Sequence, residues 1–195
     1  MTRSDTPGAL LLLLALAGCD AFVTVPDSGR GVGARTGDSE ALALPAAVPG
    51  AALPFGEIAT ACGVTGSALG QPTEELAGYA IHDTAPGTTA PRTHYVTGFR
   101  DGCPRQVTAA LAVFGDPVTH ETYRYETSSR PYGPVDTAYE EIKGRVCGVP
   151  AGEPCGAGMD RLAADTAFLS LYPEFGAAAY TDVLFYGGEV VATDG

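Results

Sequence analysis

Cysteine placement narrows the possibilities for this chain more than any other feature of its 195 residues. There are five cysteines, at 19, 62, 103, 147 and 155. Cys19 stands apart, because it closes an uncharged apolar run from Ala9 to Ala17. That run is too short to span a bilayer as a helix, which takes ~20 apolar residues. It fits the core of a secretory signal, ~7–15 apolar residues followed by small ones. The positive end ahead of it is weak, since Asp5 offsets Arg3. Export delivers the body to an oxidising space where disulfides persist. Four cysteines then remain in the body, and four allow three connectivities. Proximity favours Cys147 with Cys155, closing the loop 148–154, and leaves Cys62 with Cys103. Closing the larger loop contributes ~3–4 kcal/mol in the chain-entropy account. A zinc site is the rival reading, but the paired Cys-x-x-Cys spacing of such sites is missing. A reactive thiol pair is the third reading.

The residues around Cys19 carry a resemblance. Leu16-Ala17-Gly18-Cys19 resembles the lipobox of bacterial lipoproteins. The resemblance implies that residues 1–18 are a signal peptide cut off by signal peptidase II. Cys19 is then the first residue of the mature chain and carries the acyl groups, palmitate among them. Two or more buried acyl chains make anchoring stable without a spanning helix, at ~0.8 kcal/mol per buried methylene. The implied location is the cell envelope, facing the periplasm. Asp20 is similar to an inner-membrane retention signal of enteric lipoproteins, a rule that does not extend to every bacterium, so inner and outer membrane both stay open.

Charge restricts the partners. The chain has a net charge of −12, and Arg3 and Asp5 cancel within the leader, so the mature chain keeps all of it. Nucleic-acid binding relies on basic patches facing phosphates, and adhesion to anionic headgroups likewise needs cations. Attachment is therefore expected through the acyl chains alone. Of residues 20–54, 19 are Gly, Ala, Pro or Ser, and Phe22 is the one aromatic. With Cys19 this stretch (19–54) reads as a lipidated flexible linker, too poor in large apolar groups to offset its ordering entropy. As a coil it reaches ~30–35 Å, and Leu42, Leu44, Val48 and Leu53 allow docking near its end.

Residues 55–195 read as one globular domain, long enough to bury a core unaided. Phe55 to Cys62 is expected as a short helix. Gly78–Asp83 and Thr93–Phe99 read as strands, with Tyr95 and Phe99 on one face by period two. Val107–Phe114 reads as one buried strand. Asp116-Pro117 is a helix start, with proline at the first helical position, and Val118–Tyr125 follows as a short helix. Thr137–Cys147 is the clearest helix, with Asp136 as cap and Gly148 as stop. Its apolar stripe is Ala138, Tyr139, Ile142 and Val146, and Glu140, Glu141, Lys143 and Arg145 are expected in water. Met159–Ala164 reads as a helical turn or two, and Thr166–Tyr172 as a strand. Tyr180–Tyr186 and Glu189–Thr193 read as a hairpin about Gly187-Gly188. The fold class is α+β: a mainly antiparallel sheet with a few short helices, in a single disulfide-stapled domain.

Function is less legible. His82, Arg92, His94 and Arg105 lie close together in sequence and are the candidate ligand-binding or acid–base group. The bland alternative is that they solvate strand ends and pair with the excess acids. A serine-nucleophile Gly-x-Ser-x-Gly is missing. Gly29-Arg-Gly-Val-Gly33 has no strand before it and no helix after, so a dinucleotide loop fails. Glu74-Glu75 and Glu140-Glu141 are adjacent and diverge, whereas a catalytic carboxylate pair converges from separate elements. The three histidines lack metal-ligand spacing, His120-Glu121 is expected on an exposed short element, and neither a cofactor nor a metal is expected. Arg92-Thr-His-Tyr-Val-Thr-Gly-Phe99 and Cys103-Pro-Arg-Gln106 resemble phrases in small uncharacterised lipoproteins of alphaproteobacteria, a resemblance that implies no activity. The expected role is a non-catalytic, membrane-anchored module for an envelope protein or cell-wall partner. The alternative is a periplasmic enzyme or small-ligand binder using His82, Arg92, His94 and Arg105.

Overall fold

The computed structural model describes residues 41–195, so the expected leader, Cys19 and the linker as far as residue 40 lie outside the described residues. Among those described, two antiparallel sheets and three short α-helices realise the α+β class. The first sheet runs in the order β1 (Ile58–Thr60), β5 (Arg105–Ala109), β4 (Arg92–Thr97), β3 (Tyr79–Asp83), β2 (Gln71–Leu76). The second runs β6 (Leu111–Gly115), β7 (Thr166–Tyr172), β8 (Thr181–Tyr186), β9 (Glu189–Thr193).

The two-residue alternation of strands sorts these sheets into layers. In β7, Ala167, Leu169 and Leu171 pack against the first sheet's Ile81, Val96 and Val107. Phe168, between them, points the other way and packs with Tyr139, Ile142 and Leu162 of the helical layer. The second sheet is thus buried on both faces, which explains the near-continuous apolar run of β7. The first sheet has one buried face, and its β3 alternates accordingly: Tyr79, Ile81 and Asp83 are buried while Ala80 and His82 are half-exposed. Tyr79, Phe99 and Phe185 fill the space between sheets with ring centroids 5.0–5.3 Å apart. The Tyr79 hydroxyl accepts from Gly188 N at 2.8 Å, at the turn of the predicted hairpin.

The helices begin as their sequences dictate. Asp116 Oδ1 accepts from Thr119 N at 2.7 Å ahead of α1 (Pro117–Glu121), with proline at the first turn. A π-helical turn, Thr122–Thr127, follows. The long helix α2 (Pro134–Cys147) starts three residues before the expected Thr137. Gly133 is its cap, and Asp136 sits inside the first turn with Oδ2 accepting from Gly133 N at 3.0 Å. Asp194, from the other end of the domain, accepts from Val135 N at 3.0 Å. Gly148 ends the helix in the left-handed conformation, φ 72°. Helix α3 (Met159–Ala163) completes the layer.

Other local expectations also differ from the structure. Phe55–Cys62 contains β1 rather than a helix, because Ile58 and Ala59 are buried beside β5 and backbone pairing to Arg105–Val107 replaces helical bonds. Val107–Phe114 is two strands, not one: the chain leaves the first sheet at Ala109 and enters the second at Leu111. In β4 the buried face holds His94 and Val96, with Tyr95 opposite. Phe99 still reaches the core because Gly98, at φ 104°, turns the chain where a Cβ would lie 2.2 Å from Gly78 O. Finally, Glu140 and Lys143 of α2 do not face water; both are buried.

Both disulfides form in the pairing that proximity favoured, Cys62–Cys103 and Cys147–Cys155. Residues 42–47 run across one side of the sandwich as a strap. Leu42 N donates to Val190 O of β9 at 2.7 Å, and Pro45 and Ala47 exchange bonds with Thr60 of β1 at 2.8 Å each.

Candidate functional site

The four residues singled out in the sequence do not share a pocket. His82 lies on the outer face of the first sheet, with Nε2 3.2 Å from Thr97 Oγ1. His94 faces inward, 2% exposed, with Nε2 3.2 Å from Ala109 O. Burial lowers its pKa, as desolvation does for any imidazolium. Arg92 pairs with Asp83 through two bonds of 2.8 and 2.5 Å and donates to Ala110 O at 2.6 Å. It thereby holds the point where the chain changes sheets, and it keeps the Asp83 carboxyl well below its usual range. Arg105 lies at the opposite end of the sheet from Arg92. It pairs with Asp101 at 3.0 Å, donates to Cys103 O at 2.6 Å and stacks over Phe99 at 4.3 Å. The group is a set of braces, with both guanidiniums engaged by protein acceptors.

Polar side chains gather instead under the helical layer. The Glu121 carboxylate accepts from the Tyr139 hydroxyl at 2.8 Å and from Cys155 N at 3.1 and 3.2 Å. His120-Glu121 is therefore not an exposed element: Glu121 is buried, and the His120 side chain is 12% exposed. Lys143, the chain's one lysine, is wholly buried. Its Nζ meets Glu140 Oε2 at 2.5 Å, the Tyr125 hydroxyl at 2.5 Å and Glu153 O at 2.7 Å. Glu140 also accepts from the Tyr125 hydroxyl at 2.6 Å and from Gly152 N at 3.0 Å. Arg124 Nε lies 3.0 Å from Asp136 Oδ1 but off its N–H axis, so the contact is an ion pair rather than a hydrogen bond. This network fastens α2 to the 149–155 loop and to the π-helical turn.

Beside it, between α1 with its flanking residues and strands β7 and β8, a cavity of about 130 Å³ opens. Its floor is the register pair Ser170 and Asp182, which follow Phe168 and precede Leu184 on the helix-facing side of β7 and β8. The Ser170 hydroxyl donates to Asp182 Oδ1 at 2.6 Å. Phe168 and His120 stack at 4.1 Å and 11° to form one wall, and Tyr123 and Tyr180 line it too. Burial pushes the Asp182 carboxyl up to about 6, with Asp194 adding to the rise and Ser170 opposing it. Burial also takes the His120 imidazole down to about 4, against the pull of Asp136. A serine, a histidine and an aspartate thus line one cavity without forming a nucleophile. The serine proton goes to the aspartate, and His120 Nε2 faces Asp136 at 3.5 Å. A base that activates serine accepts its proton. Among the described residues no group of three or more His, Cys, Asp or Glu is placed to hold a metal ion.

The sequence carried a trace of this site. Ser170 and Asp182 are polar residues inside otherwise apolar strands, and their pairing across the 173–180 loop is what makes them a floor. No family model, curated protein or solved structure matches this chain.

Proposed function

We propose that this protein is a lipid-anchored component of the bacterial cell envelope whose exported domain is a non-catalytic binding module. One observation carries the reading. The four body cysteines pair among themselves in two disulfides, which leaves Cys19, directly behind the apolar run, as the cysteine set apart for another use. Stapling of this kind suits an oxidising compartment. The net charge of −12 leaves no electrostatic route to an anionic bilayer, so the acyl chains act alone. No helix among the described residues is long and apolar enough to cross a membrane. The partner sought is an envelope protein or a cell-wall component. Catalysis or ligand capture by His82, Arg92, His94 and Arg105 gains no support from side chains spread over two faces and two ends of a sheet.

The anchoring is tested by Cys19→Ser in cells that carry the lipoprotein pathway. The expected outcome is release from the membrane fraction or accumulation of an unprocessed, larger form. A variant that stays membrane-bound at the mature size overturns the assignment.

A further inference from the structure

We propose that the cavity floored by Ser170 and Asp182 binds a primary ammonium group carried on a short alkyl chain. Three features of the cavity select this chemistry.

The first is charge. Two carboxylates, Asp116 and Asp182, line the cavity and no lysine or arginine does. Asp116 is half committed, since its Oδ1 caps α1. Asp182 is bonded through Oδ1 to Ser170, and among the described residues no donor is bonded to Oδ2. The charged groups around Asp182 are mostly acids, Asp194 and Asp136, with Arg130 alone opposing them. His120 brings no charge near neutral pH, because its imidazole is held at about 4. A carboxylate in a half-closed apolar site, with Arg130 nearby but no cation among the lining residues, is unfavourable, and a cationic ligand removes that penalty.

The second is the wall. Phe168, His120, Tyr123 and Tyr180 line the cavity with aromatic rings, and since Phe168 and His120 cover one face of each other, the tyrosines are the rings left to meet a cation. Ring faces attract cations, most strongly where water is excluded. Tyr180 already engages one in this way, the Arg130 guanidinium at 5.6 Å from its centroid.

The third is size and valence. A volume of about 130 Å³ holds a group of roughly four or five heavy atoms, since a water occupies about 30 Å³. A guanidinium brings a rigid planar fork of five donors, more than the open oxygen of Asp182 and the half-committed Asp116 satisfy. An ammonium is a point donor and is satisfied by the remaining oxygen. Calcium takes six to eight oxygens, more than this lining offers with two carboxylates, one of them capping a helix.

The ligand's source is either a free alkylamine or the lysyl side chain of a peptide, and both end in the same group. The inference gives the proposed binding module a ligand class. It concerns the domain rather than the tether, so its failure is separable from failure of the Cys19 experiment.

The test is an NMR titration of the full chain in detergent solution with n-propylammonium and, in parallel, with Nα-acetyl-lysine N-methylamide. n-Propanol is the uncharged control. The expected result is saturable shifts at Ser170, Tyr180 and Asp182 with propylammonium and none with propanol. Saturation by the lysyl amide as well assigns the site to peptide side chains, and its exclusion assigns the site to free amines. Asp182→Asn keeps the shape and is expected to weaken binding at least about tenfold, the loss of one charge-assisted contact. Tyr180→Leu is expected to weaken it severalfold with Asp182 intact. Shifts that are equal with propanol, unchanged in Asp182→Asn with a preserved spectrum, or missing at about 0.1 M amine overturn the proposal.

Discussion

Two residues facing one cavity have ionisation constants displaced in opposite directions, and the signs can be separated. His120 falls from 6.5 to about 4 on folding, so the unfolded chain binds the extra proton in that interval. Stability is lost as pH falls through it. Asp182 rises from 3.8 to about 6, so the folded chain binds the extra proton, and stability is lost as pH rises. At about 1.4 kcal/mol per unit each effect reaches up to about 3 kcal/mol, and in the parent they oppose each other over the same acidic range. Asp182→Asn is expected to gain stability relative to the parent by up to about 3 kcal/mol from pH 3 to pH 7. His120→Gln is expected to gain a similar amount as pH falls from 7 to 3. Urea midpoints measured along the pH scale check both, and two parallel curves would contradict the displaced constants. The burial of His120 was not readable from sequence, because it comes from Phe168 and Tyr139, which arrive from separate elements. Asp116 was legible, because its role is settled within four residues of chain.

Among elements, α2 shows what periodicity hides. Its existence and its glycine stop were plain in the sequence, and Tyr139 and Ile142 face the core as the stripe required. Its charged residues suggested a solvated face, yet Glu140 and Lys143 are enclosed by the 149–155 loop and the π-helical turn. A helical wheel cannot register a loop folding over the outer face. Lys143→Met is expected to cost about 3–5 kcal/mol by leaving Glu140 buried without its cation. Adding Glu140→Gln is expected to recover most of that loss, measured by chemical denaturation; a double variant no better than the single one would show that the pair is not coupled. The Val107–Phe114 run was misread for a related reason. One strand and two strands in different layers have the same alternation, and the change of sheet at Ala110 is held by Arg92, eighteen positions away.

Over the molecule as a whole, the two disulfides differ in reach. Cys62–Cys103 spans 41 positions and ties the end of β1 to the approach to β5. Cys147–Cys155 spans 8 and closes the loop behind α2. In the chain-entropy account, replacing the first pair by alanine costs about 4 kcal/mol and the second about 2.5 kcal/mol. Denaturant unfolding of the two double variants gives the order, and a larger loss from the shorter loop would refute it. The three-layer plan was legible only as a class, since sheet membership depends on pairings that no local pattern encodes.

The strap at residues 42–47 has a mechanical consequence. A pull on the chain ahead of Leu42 loads its single bond to Val190 first and the pair at Thr60 next. These are few and yield one after another, as a peeling seam does. The tear then runs into β1, three residues long, and reaches Cys62, where a covalent bond to Cys103 halts it. Tension applied from that end is therefore taken up by strap and edge strand, and it passes inward only to β5, through the Gln106 side chain on Ala51 O at 2.7 Å and the pairing with β1.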